Sequence, residues 1–242
     1  MIFLLPTAKE MTDTAEPIGI DLEPKTQTIV DEMASRTISE LATSYHISDA
    51  QATTEAERWQ ELQKKRAPLK KALHLFNGLM YRHIHRSDLT PDEETYIKER
   101  LYITSSLYGI IPAYQLISPH RLDFNTKIRI HNQTLKSYWR TSYDAFLKDH
   151  KLVISLLSSE FEQVFSPALR QNLIRVTFME SHGGNLKNHS TISKKARGQF
   201  FSQAANHNVQ TMDELKQLSW QGFCYRNDLS TEQELVFVKE KH

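Results

Sequence analysis

Ile2-Phe3-Leu4-Leu5-Pro6-Thr7-Ala8-Lys9 opens the chain with four consecutive apolar residues that end at a proline. A short apolar run closed by a turn residue predicts a buried strand. Lys9 lies just beyond the strand end, where α/β folds commonly place groups that bind ligands. This stretch therefore predicts an α/β fold and makes Lys9 a candidate ligand-binding residue.

Outward from this strand, helical and strand-like patterns alternate irregularly. Helices are predicted at about residues 26–44, 49–66, 90–105, 135–150, 191–205 and 212–218, with a short helix or turn at 70–76. Strands are predicted at about 152–157, 174–178, 223–226 and 234–239, and a turn-rich connection at 108–119. Without repeats or a low-complexity linker, we expect a single mixed α/β domain over residues 1–242. It should contain a mixed sheet flanked by helices and a helical insertion at about residues 25–70.

The composition limits the kinds of site that the chain can carry. Its 30 Lys and Arg residues nearly balance 29 Asp and Glu residues, so an anion site must come from local clustering. Cys224 is the only cysteine, which excludes an intramolecular disulfide and a thiolate-rich metal centre. Its strand-like surroundings predict a small, buried hydrophobic residue. The apolar N-terminus is too short for a signal peptide and no stretch approaches about 18 apolar residues, so we expect a cytosolic (cytoplasmic) protein without membrane contact. The sequence leaves the oligomeric state open, and we favour a monomer.

The strongest local pattern is Ser193-Lys194-Lys195-Ala196-Arg197-Gly198, near the start of a predicted helix. At 3.6 residues per turn, Lys194, Arg197 and Gly198 lie on one stripe. Cations at a helix N-terminus oppose the helix dipole, unless an anion binds there to the free backbone N–H groups. Gly198 lets a phosphate or another backbone approach closely. The alternative is an ordinary solvated helix start whose Lys and Arg side chains extend from the edge of the core.

Arg121 lies among apolar and turn residues in Pro119-His120-Arg121-Leu122-Asp123, as a partly buried arginine does. It is a candidate for ligand contact, and a structural ion pair with Asp123 or another carboxylate is the alternative. A further basic run at residues 64–71 is typical of a solvated face, or else extends a surface that follows phosphates. The eleven histidines show no metal-ligand spacing, and we find no nucleophile elbow or phosphate-loop motif. The sequence predicts no metal site and no cofactor.

Several segments, in the same order and with similar spacing, resemble the YaaA family of peroxide-stress proteins. Pro6-Thr7-Ala8-Lys9 is similar to the family's Ser-Pro-Ala-Lys, and residues 76–81 are similar to its Phe-x-Gly-x-x-Tyr. Residues 105–109 and 119–123 resemble Ser-Gly-Leu-Tyr-Gly and Pro-Tyr-Arg-Leu-Glu. Residues 135–139 and 154–161 resemble Leu-Tyr-x-Phe-Trp and Asn-Leu-Ala-Ser-x-Glu-Tyr. Residues 194–198 match the family's Lys-Lys-Ala-Arg-Gly residue for residue.

The resemblance implies a positively charged cleft, binding of double-stranded DNA, and protection against hydrogen peroxide by limiting free iron and the DNA damage that iron drives. It also implies a helix-hairpin-helix-like element, for which residues 38–59 are the candidate. The family's hairpin glycine falls on Ala50, and three residues of its central motif fall on Ser106, Pro112 and Gln115, which predicts weaker or altered binding. The residues expected to contact DNA or another phosphate-bearing ligand are Lys9, Arg121, Lys194, Lys195, Arg197 and Gly198.

Two other functions remain open. In the first, the same cations form the anion clamp of an enzyme that acts on a nucleotide or a nucleic-acid lesion, with Tyr81, Tyr108 or Glu160 as proton-transfer groups. A narrow pocket lined by these residues favours the enzyme, and an open groove about as wide as a duplex favours DNA binding alone. In the second, scattered His and carboxylate side chains sequester iron.

Overall fold

A nine-stranded mixed sheet flanked by helices forms the frame of the protein, and the computed structural model describes residues 1–12 and 19–241. The strands are β1 (Ile2–Pro6), β2 (Lys70–Lys71), β3 (Leu101–Ser105), β4 (Gly109–Pro112), β5 (Leu116–Ile117), β6 (Val153–Ser155), β7 (Leu173–His182), β8 (Asn185–Lys187), β9 (Ser219–Trp220), β10 (Phe223–Tyr225) and β11 (Glu234–Lys241). The helices are α1 (Pro24–Ala34), α2 (Ile38–Tyr45), α3 (Asp49–Gln63), α4 (Ala72–Leu75), α5 (Pro91–Arg100), α6 (Leu135–Asp149), α7 (Ser159–Glu162), α8 (Pro167–Arg170), α9 (Ser190–Asn206) and α10 (Met212–Gln217). Short 3₁₀ turns cover Tyr81–His83 and Asn227–Leu229, and β2 pairs with β5 outside the main sheet.

Five parallel strands form the centre of the sheet, in the order β3-β1-β6-β7-β11. β4 extends one side of this centre, and β10 followed by β9 extends the other, all antiparallel to their neighbours. From β1 the chain crosses to β3 on one side and later reaches β6 on the other side. Ligands of open α/β sheets bind outside the carboxyl ends of the strands where connections diverge in this way. The residues that follow β1 and β6 therefore lie where a ligand site is expected.

The predicted first strand is confirmed, and it is buried on both faces of the sheet. Phe3 and Leu5 pack into the hydrophobic cluster that contains residues of α5 and α9. Ile2 and Leu4 pack into a second cluster with residues of α1, α3 and α6. Side chains of a strand alternate between its two faces, so an unbroken apolar run is what a strand covered on both sides requires.

The predicted helix at residues 26–44 is wrong in one respect, because it is two helices. α1 ends at Ala34, and α2 begins after Thr37. The Thr37 side chain accepts a hydrogen bond from the Glu40 backbone N–H, and the Glu40 carboxylate accepts one from the Thr37 backbone N–H. This capping box starts a new helix and fixes the break.

The predicted helix at 90–105 and the turn-rich connection at 108–119 also need correction. α5 starts as predicted, with Thr90 as its cap and Pro91 as its first residue, but it ends at Arg100. Residues 101–105 then form β3, which pairs with β1 and β4 in the middle of the sheet. Residues 109–112 and 116–117 form β4 and β5 rather than turns alone. The apolar and β-branched residues Leu101, Ile103 and Ile111 are buried there, which explains their strand conformation.

The remaining predicted elements are present with shifted ends, and β7 is longer than predicted because it pairs with β11 along Arg175–His182. The prediction for Cys224 is wrong. Its side chain is exposed, because it alternates with the buried Phe223 on an outer strand of the sheet. Part of the predicted loop after Lys9, at residues 13–18, lies outside the described residues.

Candidate functional site at the carboxyl ends of β1 and β6

A pocket of about 520 Å³ lies at the carboxyl ends of β1 and β6, and we call it the strand-end pocket. Its size falls within the range of about 300–1,000 Å³ that is usual for small-molecule sites. Segments far apart in sequence line it: residues 6–11, 78–81 and 120–123, together with Ser158, Glu160, Phe161, Lys194 and Arg197. The divergence of the connections at β1 thus places a pocket where the topology predicts one.

The floor of the strand-end pocket is held by close contacts between the residues after β1 and the segment 78–81. The Tyr81 hydroxyl donates a hydrogen bond to the Pro6 carbonyl oxygen at 2.9 Å. A methyl group added at Gly78 would lie 2.7 Å from the Ala8 Cβ atom, so only glycine fits at this approach. These contacts fix the backbone that carries Lys9.

Helix α9 brings Lys194 and Arg197 to the pocket from the far side of β6. Because β11 occupies one edge of β7 as far as His182, the short strand β8 pairs with the other edge, beyond the end of β6. The β7–β8 hairpin then leads directly into α9, which starts at Ser190. Lys194 and Arg197 therefore lie in the second and third turns of the helix. None of residues 190–193 is among the described residues that line the pocket, so side chains reach it rather than the N–H groups of the helix start.

The structure brings together most of the residues singled out from the sequence and separates three of them. Those that line the strand-end pocket are Lys9, Tyr81, Arg121, Glu160, Lys194 and Arg197. Lys195, Gly198 and Tyr108 are not among its lining residues. Lys195 is exposed on α9. The Tyr108 hydroxyl accepts a hydrogen bond from the Ser118 backbone N–H at 3.1 Å, and burial raises the pKa of Tyr108 to about 12.

Gly198 allows the close approach of another backbone, rather than that of a phosphate. A Cβ atom at this position would lie 2.3 Å from the Met80 carbonyl oxygen and 3.0 Å from the His83 carbonyl carbon. The glycine lets α9 pack tightly on residues 80–83, the segment that includes Met80 and Tyr81 of the pocket wall. It thereby positions the neighbouring Arg197.

Arg197 is the most unusual cation of the pocket. Its Nε atom is buried, and the described residues offer this atom no hydrogen-bond partner. Burial lowers the pKa of Arg197, although the charge of Glu162 opposes this effect. Glu162 is itself held by hydrogen bonds from the Ser155 hydroxyl and the Arg175 Nε atom, both at 2.7 Å. A buried donor without a partner costs about 1–3 kcal/mol, so Arg197 is held in the free protein at an energetic cost.

Lys9 is paired within the pocket wall, and its partner is the carboxylate that was one of the candidates to pair with Arg121. The Lys9 Nζ atom lies 3.0 Å from Asp123 Oδ2, so Asp123 pairs with Lys9 rather than with Arg121. The Arg121 guanidinium instead lies over the ring of Tyr45, 5.6 Å from its centroid. Within the described residues neither Arg121 nor Lys194 forms an ion pair, which leaves both charges available to an anion.

Two neighbouring carboxyl groups of the pocket have pKa values that are shifted in opposite directions. Burial alone would raise the pKa of Asp123, but the hydrogen bond and the charge of Lys9 lower it overall. Burial, and then the negative charge of Asp123, raise the pKa of Glu160, whose Oε1 accepts a hydrogen bond from the Phe124 backbone N–H. A pair of carboxyl groups that differ in this way can divide the roles of acid and charge stabiliser.

Tyr81 is fully buried, and burial raises its pKa well above the usual value. It is therefore protonated at neutral pH, with its hydrogen engaged by Pro6. With Glu10, Asp123 and Glu160, the pocket lining contains three acidic residues beside its four lysines and arginines. The charge of the lining is mixed, with an excess of cations.

Sequence reasoning missed His120 as a pocket residue. It precedes Arg121 in the motif at 119–123, and only its position beside that arginine singles it out. In the structure its ring is 2% exposed and lies 5.2 Å from the ring of Tyr108. Burial lowers the pKa of His120 to about 4, so the ring is neutral at physiological pH.

The candidate helix-hairpin-helix segment consists of α2 and α3 joined by the three residues 46–48. His46 has the positive φ of this turn, 54°, whereas Ala50 lies in the first turn of α3. The position expected to be glycine is thus in helical conformation, which suits alanine. In the nearby basic run residues 64–66 and Lys71 are exposed, with Lys65 paired to Asp21 and Arg66 to Glu61, whereas Lys70 is half-buried.

Two other kinds of feature are absent from the described part of the chain. Over residues 1–12 and 19–241, no three His, Cys, Asp or Glu side chains are grouped so that they could hold a metal ion. In the same residues, no helix has the length and apolar character needed to cross a membrane.

Comparison with known proteins shows similarity along nearly the whole chain. A family model described as "Peroxide stress protein YaaA" matches residues 1–229. A UPF0246 protein of Streptococcus agalactiae serotype III is 49% identical over 238 residues, which cover 98% of each chain. A UPF0246 protein of Streptococcus thermophilus is 48% identical over 239 residues, 98% of this chain and 97% of the relative. One of Streptococcus pyogenes serotype M12 is 48% identical over 241 residues, 100% of this chain and 99% of the relative.

Proposed function

This chain belongs to the peroxide stress protein YaaA family, and we propose that it serves that response by binding DNA, with one phosphate-bearing nucleotide held in the strand-end pocket. The observation that carries the proposal is the convergence of four cations on one concavity. Lys9, Arg121 and the pair Lys194 and Arg197 are far apart in sequence, yet all line the same pocket. Lining cations of this kind suit the phosphate group, which all nucleotides share.

The unpartnered Nε atom of Arg197 supports the same proposal. A buried guanidinium presents its N–H groups as a planar fork that matches two oxygens of a phosphate. In this protein the fork has one N–H without an acceptor among the described residues. In this proposal the guanidinium shifts on binding, and a phosphate oxygen then supplies the missing acceptor.

The size of the pocket determines how DNA can use it. About 520 Å³ accommodates a nucleotide but not a double helix. The nucleotide must therefore be unpaired or turned out of the duplex, which costs little where a base is mismatched or damaged. Peroxide damage would supply the unpaired or altered nucleotides.

The test is a titration of two short labelled duplexes that differ only by one unpaired nucleotide, each at two salt concentrations. Tighter binding of the DNA with the unpaired nucleotide is expected. For each phosphate contact, the affinity should fall by about 0.9 log units per tenfold increase in salt concentration. Lys194→Ala and Arg197→Ala should remove this preference. Lys195→Ala is the matched control, because Lys195 is exposed on the same helix outside the pocket lining.

Two results would contradict the proposal. One is equal affinity of the wild-type protein for both DNAs combined with unchanged binding by the two pocket variants. The other is binding that does not respond to salt, because neutralised phosphates release counterions.

A second function, an enzyme that acts on the bound nucleotide, is favoured by one observation. Glu160 and Asp123 have pKa values shifted apart in a pocket of nucleotide size. In this candidate Glu160 transfers a proton to or from the nucleotide. Mass spectrometry of DNA with an oxidised base, incubated with wild-type protein or Glu160→Gln, tests it. A product made only by the wild-type protein supports the enzyme, and unchanged DNA at saturating protein contradicts it.

A further inference from the structure

His120 is held in a single tautomer at the wall of the strand-end pocket. Its Nδ1 atom lies 2.9 Å from the Ser118 carbonyl oxygen. Because a carbonyl oxygen can only accept a hydrogen bond, Nδ1 carries the proton, and the neutral ring keeps its lone pair at Nε2. The structure therefore fixes Nε2 as an acceptor.

The surroundings of the ring keep it neutral and fix its orientation. The rings of Trp59, Phe76 and Tyr108 lie at centroid distances of 6.5, 6.3 and 5.2 Å from it. This burial is the main reason that the pKa of His120 is lowered, and the charge of Arg58 acts in the same direction. In this packing, with Nδ1 hydrogen-bonded to Ser118, the ring has an acceptor and no donor at Nε2.

A fixed acceptor complements the other polar groups of the pocket. The lysine and arginine side chains can only donate hydrogen bonds, and they suit the phosphate. Met11, Leu79 and Phe161 add apolar lining, which suits the flat face of a base. A base carries N–H groups that a bare sugar phosphate lacks, and a neutral acceptor in the pocket wall can recognise them.

We propose that His120 recognises the nucleobase of the ligand in the strand-end pocket, with Nε2 accepting a hydrogen bond from an amino or ring N–H group of the base. The inference rests on the proposed function, since it concerns the same site and the same nucleotide. It adds a specificity residue that phosphate binding does not require.

The test compares three probes by calorimetry: inorganic phosphate, deoxyribose 5-phosphate and deoxyadenosine monophosphate. Two variants are matched. The amide of His120→Asn can still donate to Ser118 but has no atom where Nε2 lies, whereas His120→Gln places an amide oxygen there. We expect His120→Asn to weaken binding of the nucleotide about 3- to 10-fold, the value of one neutral hydrogen bond, with the two base-free probes unchanged. His120→Gln should restore most of the loss, and thermal unfolding checks that both variants are folded.

Three results would overturn the inference. An equal loss for all three probes would show that His120 only supports the pocket wall. A loss for deoxyribose 5-phosphate as large as for the nucleotide would assign the donor to the sugar, and unchanged nucleotide binding by His120→Asn would remove the hydrogen bond altogether. Failure of the proposed function looks different, because the wild-type protein would then bind neither inorganic phosphate nor the nucleotide.

Discussion

Replacing Arg197 with methionine should separate the stability of the protein from its ability to bind phosphate. Methionine keeps most of the apolar stem of arginine and removes the guanidinium. In the free protein, the buried Nε atom lacks an acceptor among the described residues, and such a donor costs about 1–3 kcal/mol. Removing this donor should therefore stabilise the folded protein, and the lost attraction between Arg197 and Glu162 offsets part of that gain. We therefore expect the free energy of unfolding to stay the same or to rise by about 1 kcal/mol.

The same change should weaken phosphate binding strongly. A hydrogen bond from a charged group contributes about 1.5–3 kcal/mol, which corresponds to roughly a 10- to 150-fold change in affinity. At a phosphate concentration of about 100 times the wild-type Kd, the ligand stabilises the wild-type protein by about 2.7 kcal/mol. A variant that binds about 30-fold more weakly is then stabilised by only about 0.9 kcal/mol.

Thermal unfolding with and without inorganic phosphate measures both effects together. For a chain of this length, about 1 kcal/mol shifts Tm by roughly 2–4 °C. Lys195→Met is the control, because Lys195 lies on the same helix and is exposed. A lower Tm for the free Arg197→Met variant, together with a phosphate-induced shift as large as in the wild-type protein, would refute the reasoning.

Three further substitutions test the packing and the electrostatics around the site. Gly198→Ala should lower the free energy of unfolding, measured in urea, by about 2 kcal/mol, because the added Cβ would lie 2.3 Å from the Met80 carbonyl oxygen. Helix propensity alone predicts a more stable variant, and that result would contradict the packing argument. The folded state raises the pKa of Glu160, so folding favours its protonated form. This contribution to stability is present below the unfolded-state pKa of 4.5 and is lost as pH rises through the folded-state pKa. Glu160→Gln should therefore be more stable than the wild-type protein at about pH 7 but not at about pH 4, and a stability difference independent of pH counts against the shift. Tyr45→Phe removes the acceptor of the Trp59 Nε1–H at 3.1 Å and should cost about 1–3 kcal/mol, whereas an unchanged Tm would show that the bond contributes little.

Local sequence patterns predict those parts of the fold that local physics determines. β1 is a continuous apolar run, and α5 begins with a capping box and a proline, so both starts follow from neighbouring residues. The end of α5 does not follow from neighbouring residues, because no glycine or proline lies at the boundary between Arg100 and Leu101. The chain changes to a strand there because residues 101–104 pair with β1, a contact across about a hundred residues of sequence.

The candidate site shows the same division. The run from Lys194 to Gly198 stands out locally, but the purpose of Gly198 depends on the backbone of Met80, which only the packing of α9 reveals. Whether Asp123 pairs with Arg121 or Lys9 is likewise decided by the position of β1 beside residues 120–123. A single histidine in a motif carries no local signal of its tautomer, so His120 needed the structure.

The central claim is that the strand-end pocket binds the phosphate of a nucleotide, and amide chemical shifts locate that binding directly. Deoxyadenosine monophosphate is titrated into the isotopically labelled protein, and the nuclear magnetic resonance signals of the backbone amides are followed. The account predicts saturable shifts at Ala8, Gly78, Ser158 and Lys194, which lie on four separate segments of the pocket wall. Shifts confined to α2 and α3, or the absence of any saturable shift, would contradict it.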